Sequence, residues 1–221
     1  MLHFLYADQL DRHPVLKRGM FRDRADQFAA RLGWEVTVEN GEERDAYDAL
    51  NPLYVIWQDE SGGHGGSLRL LPTTGPCMVN DHFTHLTDGV AIRSPLIWEC
   101  TRFCLSRGAR PHVAAALMLG GGEVMRRCGV EHLVGVFDAR MVRIYRAIGA
   151  SPTVVGARGE GAERISVGLW EETPEARARV ARRAGIDPAQ CADWYAQSQR
   201  GSRAPEVKRA RPDAAPRHEA A

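Results

Sequence analysis

Two hydrophobic periods run along this chain. From Leu10 to Leu32, apolar Leu16, Met20, Phe21, Phe28 and Leu32 recur at gaps that suit one helical face. Gly19 is where an interruption is to be looked for, and Gly33 ends the pattern. Glu35 to Asp48 is polar and reads as loop-rich. Leu53–Gln58 (LYVIWQ) reads as a strand. A glycine-rich turn at residues 60–66 and a returning strand over 67–71 complete a hairpin. A short helix is expected within 77–86. Beyond it, strands over 96–105 and 131–137 alternate with a long apolar helix over 113–128 and a helix over 139–148. Strands follow over 153–157 and 164–169, then helices over 174–184 and 188–197, the last with Asp187 as N-cap and Pro188 at its first turn. Strand–helix alternation flanked by hairpin strands implies an α/β fold, a three-layer αβα sandwich around a mixed twisted sheet.

Composition narrows this only modestly. The 221 residues are 44% hydrophobic and carry a net charge of +1. That suits one domain with a sizeable core, and gives no global field toward nucleic acid or membrane. No apolar run reaches the roughly 20 residues of a membrane span, and Met1 to Leu10 makes a poor signal peptide. Five cysteines without a CxxC pair read as reduced thiols, so the expected location is the cytoplasm. Residues 198–221 hold six Lys or Arg against three acids, with three prolines and one aliphatic larger than alanine. That stretch is expected to be a disordered basic tail behind a domain over 1–197.

Candidate chemistry begins at the strand over 96–105. It runs into Arg107-Gly108-Ala109-Arg110-Pro111 and then a helix, an arrangement whose free N–H groups favour an anion. This resembles, in degenerate form, the pyrophosphate loop of the GNAT acyltransferases. A second set is more specific. Arg24, Phe28, Trp34, Asp45, Asp48, Arg69, Phe83, Glu99 and Arg102 stand in the order and spacing of the acyl-homoserine-lactone synthases, with Ile97 and Trp98 before Glu99 and Phe103 after Arg102. By this set the chain resembles the autoinducer synthase family from about Met1 to Trp170, and the resemblance implies a GNAT-like fold.

The chemistry that the resemblance implies has two steps. The amine of S-adenosylmethionine attacks an acyl thioester, and the substrate's own carboxylate then closes the lactone and expels methylthioadenosine. The amine must be neutral to attack, so a base is needed. Glu99 is the candidate, with an ion pair to Arg102 or another arginine as its alternative role. Arg102 is counted with Glu99 as catalytic. Arg24, Phe28, Trp34, Asp45, Asp48, Arg69 and Phe83 form the expected S-adenosylmethionine site. Aromatic faces suit a sulfonium and arginine forks a carboxylate. The same Arg/Asp cluster can instead only order the N-terminal lobe. Backbone N–H groups near Phe103 to Leu105 are the candidate oxyanion donors. No metal and no cofactor are expected, S-adenosylmethionine being a substrate.

The resemblance places the acyl chain against Phe103, Leu117, Gly135, Phe137, Met141 and Ile144. Gly135 and the small residues of the long helix are expected to leave room for a long or bulky chain. Gly135 also offers no hydroxyl to a 3-oxo group. The donor is expected to be acyl carrier protein or acyl-CoA, held by Arg107 and Arg110, with Arg126, Arg127, Arg143 and Arg146 extending a basic patch toward an acidic carrier. No obligate protein partner is inferred. Two other readings stand beside this one: a GNAT-type N-acyltransferase acting on another amine, and a non-catalytic sensor that keeps the pocket.

Overall fold

Strict alternation in the first hairpin decides the layering. In the computed structural model, which describes residues 1–200, strand β4 (Leu53–Gln58) sends Leu53 and Val55 to one core and Tyr54 and Ile56 to another. β4 pairs antiparallel with β5 (His64–Pro72) and, on its other side, with β1 (Leu2–Tyr6). β6 (Ile97–Leu105) follows β5 antiparallel, and β7 (His132–Asp138) follows β6 in parallel. β9 (Ile165–Glu171) and β8 (Thr153–Arg158) complete a seven-stranded sheet in the order β1-β4-β5-β6-β7-β9-β8. A two-stranded ribbon, β2 (Val38–Glu39) and β3 (Glu42–Glu43), stands apart.

Helices α3 (His112–Cys128), α4 (Ala139–Ile148), α5 (Pro174–Ala184) and α6 (Pro188–Arg200) cover one face, around a core of Phe4, Val55, Leu68, Leu117 and Leu133. Helices α1 (Pro14–Arg24) and α2 (Met78–His82) cover the other, over smaller apolar clusters. The three-layer mixed-sheet sandwich is therefore the observed architecture.

The structure departs from the sequence reading in four places. β1 was not foreseen. The first helix is not broken at Gly19, which sits inside α1 so close to β5 that a Cβ there would lie 2.7 Å from that of His64. The break falls at His13, between a 3-10 turn (Ala7–Arg12) and Pro14, and the far end widens into a π-helix (Ala25–Arg31) closed at Gly33, φ +65°. The polar stretch over 35–48 holds the β2–β3 ribbon and leads into a 3-10 turn (Ala46–Leu50) capped by Asp45. Finally, α6 runs to Arg200, three residues past the expected domain end, and the Ser198 hydroxyl accepts from the Phe4 amide. Residues 201–221 of the expected tail lie outside the described residues.

Candidate functional site

Strand β6 carries the site, and a bulge in it decides which side chains meet. Ser67 on β5 faces Cys104, while Arg69 faces Thr101, so Leu68 stands opposite two residues, Arg102 and Phe103. Arg102 adopts φ +52° to absorb the extra residue. Before the bulge, Trp98 and Cys100 pack toward α3; after it, Phe103 and Leu105 do. Strict alternation would have sent Glu99 and Arg102 to opposite faces. The bulge puts Glu99, Thr101 and Arg102 together on the α1/α2 side.

On that side three arginines and three acids interlock. The Arg24 fork is bidentate on Asp48 (2.9 and 2.9 Å), and its Nε donates to Glu43 at 2.5 Å. Arg69 reaches Asp45 (2.5 and 2.9 Å), Asp48 (2.8 Å) and the Thr101 hydroxyl (3.0 Å). Arg102 pairs with Glu43 at 2.9 Å and Asp45 at 2.8 Å. The Tyr54 hydroxyl donates to Asp48 at 2.5 Å. Arg24, Arg69 and Glu43 are fully buried. Burial alone would raise the Asp48 carboxyl, but the bonds and charges of Arg24 and Arg69 hold it well below the usual carboxylate range. The arginine forks are thus already filled by protein acids, and the free carboxylate clamp expected of them is not what they form. Arg102 is the exception in part, since among the described residues the one hydrogen bond of its Nη1 is to the Met78 sulfur, at 3.5 Å.

Glu99 stands apart from that network. It is 1% exposed, and its carboxylate accepts from the Met78 and Val79 amides at 3.0 and 2.5 Å, capping α2. Arg102 therefore does not pair with Glu99. Burial pushes the Glu99 carboxyl up to about 7, against the downward pull of the two amides and of Arg69. A carboxyl poised near neutrality suits a general base. Met78 joins the two groups: its amide holds Glu99 while its sulfur accepts from Arg69 and Arg102.

Phe28 and Trp34 stack with ring centroids 5.1 Å apart and planes 14° apart, and the Arg102 guanidinium lies 5.3 Å from the Phe28 ring. Phe28 is buried, while Trp34 is 45% exposed and offers its outer face. Phe83 lies further off, at the end of α2, with its ring against His82 and His85.

Residues 8–180 match the model of the autoinducer synthases. The chain belongs to this family. An acyl-homoserine-lactone synthase of Rhizobium etli is 41% identical over 186 residues, 79% of this chain and 86% of that protein. One of Agrobacterium fabrum is 32% identical over 165 residues, 67% of this chain and 78% of that protein. Among solved structures, the CoA-dependent synthase MesI superposes with TM-score 0.73 at 27% identity, covering 85% of this chain and 96% of MesI. An acyl-CoA N-acyltransferase of Pseudomonas aeruginosa superposes at TM-score 0.52 and 13% identity over 77% of this chain and 99% of that one, a likeness of fold alone. The chain is thus an acyltransferase of the acyl-homoserine-lactone synthase type, and neither the unrelated N-acyltransferase nor the sensor reading is favoured.

On the α3 face, where the resemblance places the acyl chain, the expected lining divides. Phe103, Leu117, Phe137 and Met141 do face that core. Ile144 does not: it is 40% exposed on the outer side of α4, whose inner side carries Met141, Tyr145 and Ile148. The room expected over Gly135 is taken, because a Cβ there would lie 3.1 Å from the Trp170 ring. Trp170 is held by its indole N–H on the Ala150 carbonyl (2.8 Å) and by the rings of Phe137 and Tyr145. Behind it lies a cavity of about 200 Å³ between the sheet, α3 and α5, lined by Met118, Gly122, Leu133, Leu169, Trp170 and Val180.

The expected basic patch is largely neutralised in place. Arg107 pairs with Asp26, Arg110 with Glu60, and Arg126 and Arg127 with Glu123. Arg146 instead joins Arg179, Arg182 and Arg183 around an open concavity of about 610 Å³, and none of these four has an acid within ion-pair distance among the described residues. The Leu105 amide, one of the expected oxyanion donors, is spent on the Gln27 side chain at 3.0 Å.

The residues not foreseen are Glu43, Tyr54, Thr101, Met78 and Gln27. Only Glu43 left a trace in the sequence. Three candidate arginines against Asp45 and Asp48 leave one buried positive charge without compensation, and a buried cluster needs balance. Among the described residues no group of three His, Cys, Asp or Glu is arranged to hold a metal ion, and no helix is long and apolar enough to cross a membrane.

Proposed function

We propose that the chain joins an acyl thioester to the amine of S-adenosylmethionine, with Glu99 as the base, and that the product then closes to the homoserine lactone. The observation that carries this is the buried Glu99, raised to about 7, on the same sheet face as the Trp34–Phe28 pair and Arg102. Glu99 takes a proton from the substrate ammonium, directly or through a water. The neutral amine adds to the thioester carbonyl, the C–S bond breaks toward sulfur, and the proton shed by the nitrogen goes to the departing thiolate, giving an amide and a free thiol. The substrate carboxylate oxygen then attacks the γ-carbon, the C–S bond breaks toward sulfur, and methylthioadenosine departs. That second step is intramolecular and starts from a sulfonium, so it asks little more than correct folding of the substrate.

The exposed face of Trp34 suits the sulfonium. Arg102, with one nitrogen held only by a thioether, is the arginine that can turn toward the substrate carboxylate. Arg24, Arg69, Asp45 and Asp48 then act mainly by fixing the N-terminal segment that carries the aromatic pair. Phe83 borders the site at the far end of α2. The acyl chain lies along Phe103, Leu117, Phe137 and Met141. The donor is the thioester of coenzyme A or of acyl carrier protein, entering past Arg107 and Arg110; an acidic carrier meets its strongest positive field at Arg146, Arg179, Arg182 and Arg183. Both substrates arise in the cytoplasm, where this reading places the chain.

Methylthioadenosine release from S-adenosylmethionine and either donor tests the reading. Glu99→Gln should abolish it while the fold survives; unchanged turnover removes Glu99 as the base.

A further inference from the structure

Past its midpoint β6 has an edge that no strand among the described residues covers, and one side chain fills it. β6 and β7 pair only at Ile97–His132, Trp98–Leu133 and Glu99–Val134. Beyond these, β6 stays with β5 as far as Leu105 and β7 stays with β9 as far as Asp138, so the two strands part. The Ser106 amide donates to the Gly65 carbonyl at 3.1 Å, on the β5 side. Backbone groups alternate sides along a strand, so the Leu105 N–H and the Phe103 carbonyl face the edge that β7 has left. Gln27 takes both. Its Nε2 donates to the Phe103 carbonyl at 3.0 Å, and its Oε1 accepts from the Leu105 amide at 3.0 Å. One primary amide thereby reproduces the pair of bonds that a residue of a parallel neighbouring strand would make.

Gln27 is suited to letting go. It is only half-buried, and it belongs to the π-helical turn Ala25–Arg31, a rare and marginal conformation. An unpaired strand edge takes up extended chains that carry amides. The arm that bears the thioester, common to coenzyme A and acyl carrier protein, is such a chain. Until it arrives, an uncovered N–H and C=O at this depth would cost free energy.

We infer that Gln27 is a placeholder for the acyl donor. It satisfies the open edge of β6 in the free enzyme and yields the Phe103 carbonyl and Leu105 N–H to an amide of the donor's pantetheine arm. The inference rests on the synthase reading above. Gln27 is a positioning residue: it touches neither reacting atom, and no covalent step passes through it. Its effect falls on donor affinity, because the donor must exchange two existing bonds instead of displacing water.

Gln27→Ala and Gln27→Leu test this in the full chain, the second keeping most of the side-chain volume. Methylthioadenosine release is followed with acyl-CoA and with acylated carrier protein in separate arms. The KM for the donor should fall about three- to tenfold in both variants, while the KM for S-adenosylmethionine moves less than twofold. A donor KM that is unchanged or raised in both variants, with wild-type turnover intact, overturns the placeholder and leaves the synthase standing. Wild-type enzyme that releases no methylthioadenosine with either donor sinks the synthase reading itself.

Discussion

Glu99→Gln keeps the shape of a buried side chain and removes its proton. In the native chain burial raises this carboxyl from 4.5 to about 7, although two backbone amides favour the ionised form. The sign of the linkage follows. A carboxyl raised on folding is surrendered first by the unfolded chain, so native stability is greatest below 4.5 and falls as pH climbs through 7. At 1.36 kcal/mol per pH unit, the fall is about 3 kcal/mol. Discounting is unnecessary for solvent screening, since the side chain is 1% exposed. The Gln variant has no such proton to lose. Between about pH 4.5 and about pH 8.5 the variant should therefore gain about 3 kcal/mol relative to wild type, roughly 6–12 °C in Tm for a chain of this size. Urea midpoints of both proteins across that range measure it, and every other titrating group cancels in the difference. Any constant offset, from the poorer fit of a Gln amide against two N–H donors, cancels in the slope. Parallel stability curves would refute the raised carboxyl, and a variant that loses ground with rising pH would show that Glu99 is held ionised. With Glu99 as the proposed base, kcat/KM of the wild type should also rise with pH through a limb near 7.

Other perturbations separate the remaining parts. Glu43→Ala leaves Arg24 and Arg102 short of a buried partner and should cost about 3–5 kcal/mol, read from denaturant midpoints; a loss below 1 kcal/mol would mean that Asp45 and Asp48 suffice. Trp170→Ala should open the gap over Gly135 into the cavity behind it and shift the lactone mass spectrum toward longer acyl chains, an unshifted spectrum placing the chain elsewhere. Arg182→Glu together with Arg183→Glu should raise the KM for acylated carrier protein severalfold at low salt and less at high salt, with the KM for acyl-CoA unchanged; equal effects on both donors would remove the carrier from this surface.

Period and punctuation made most of the fold legible. Strand β4 and helices α4 and α5 begin and end where the pattern placed them, because each is bounded by residues with one structural use: Gly149 and Gly185 close their helices at φ +79° and +65°, and Pro174 opens α5. β1 escaped notice because it is an edge strand of five residues whose pairing with β4 is remote in sequence. The π-helical turn escaped because its composition is that of an α-helix, and its contact with β6, from Gln27 to Phe103, is remote in sequence. The candidate site was legible as a set, through spacing, and illegible as a geometry. Nothing local distinguishes an Ile144 that faces out of α4 from a Met141 that faces in, when both are apolar and α4 turns only part of its surface to the sheet. Nor does Gly135 announce that Trp170, 35 positions later, lies over it.

The bulge at Arg102 is the least legible feature and the one on which the site depends. A non-glycine residue at φ +52° costs on the order of 1–2 kcal/mol, and nothing in the segment from Trp98 to Leu105 marks where alternation will fail. The cost is met after the chain folds, by ion pairs from Arg102 to Glu43 and Asp45, residues that lie more than fifty positions earlier. Without the extra residue, Arg102 would point into the apolar core under α3, and Phe103 would point at the buried charges. With it, Glu99 and Arg102 share the face of the aromatic pair while the next side chain, Phe103, already packs toward the α3 core, the side proposed for the acyl chain. The proposed reaction, which joins an amine held on one face of the sheet to an acyl group held on the other, needs both substrates to meet at one strand. The bulge supplies that crossing within two consecutive residues, and the strand edge it leads to, from Phe103 to Leu105, is the one that Gln27 holds.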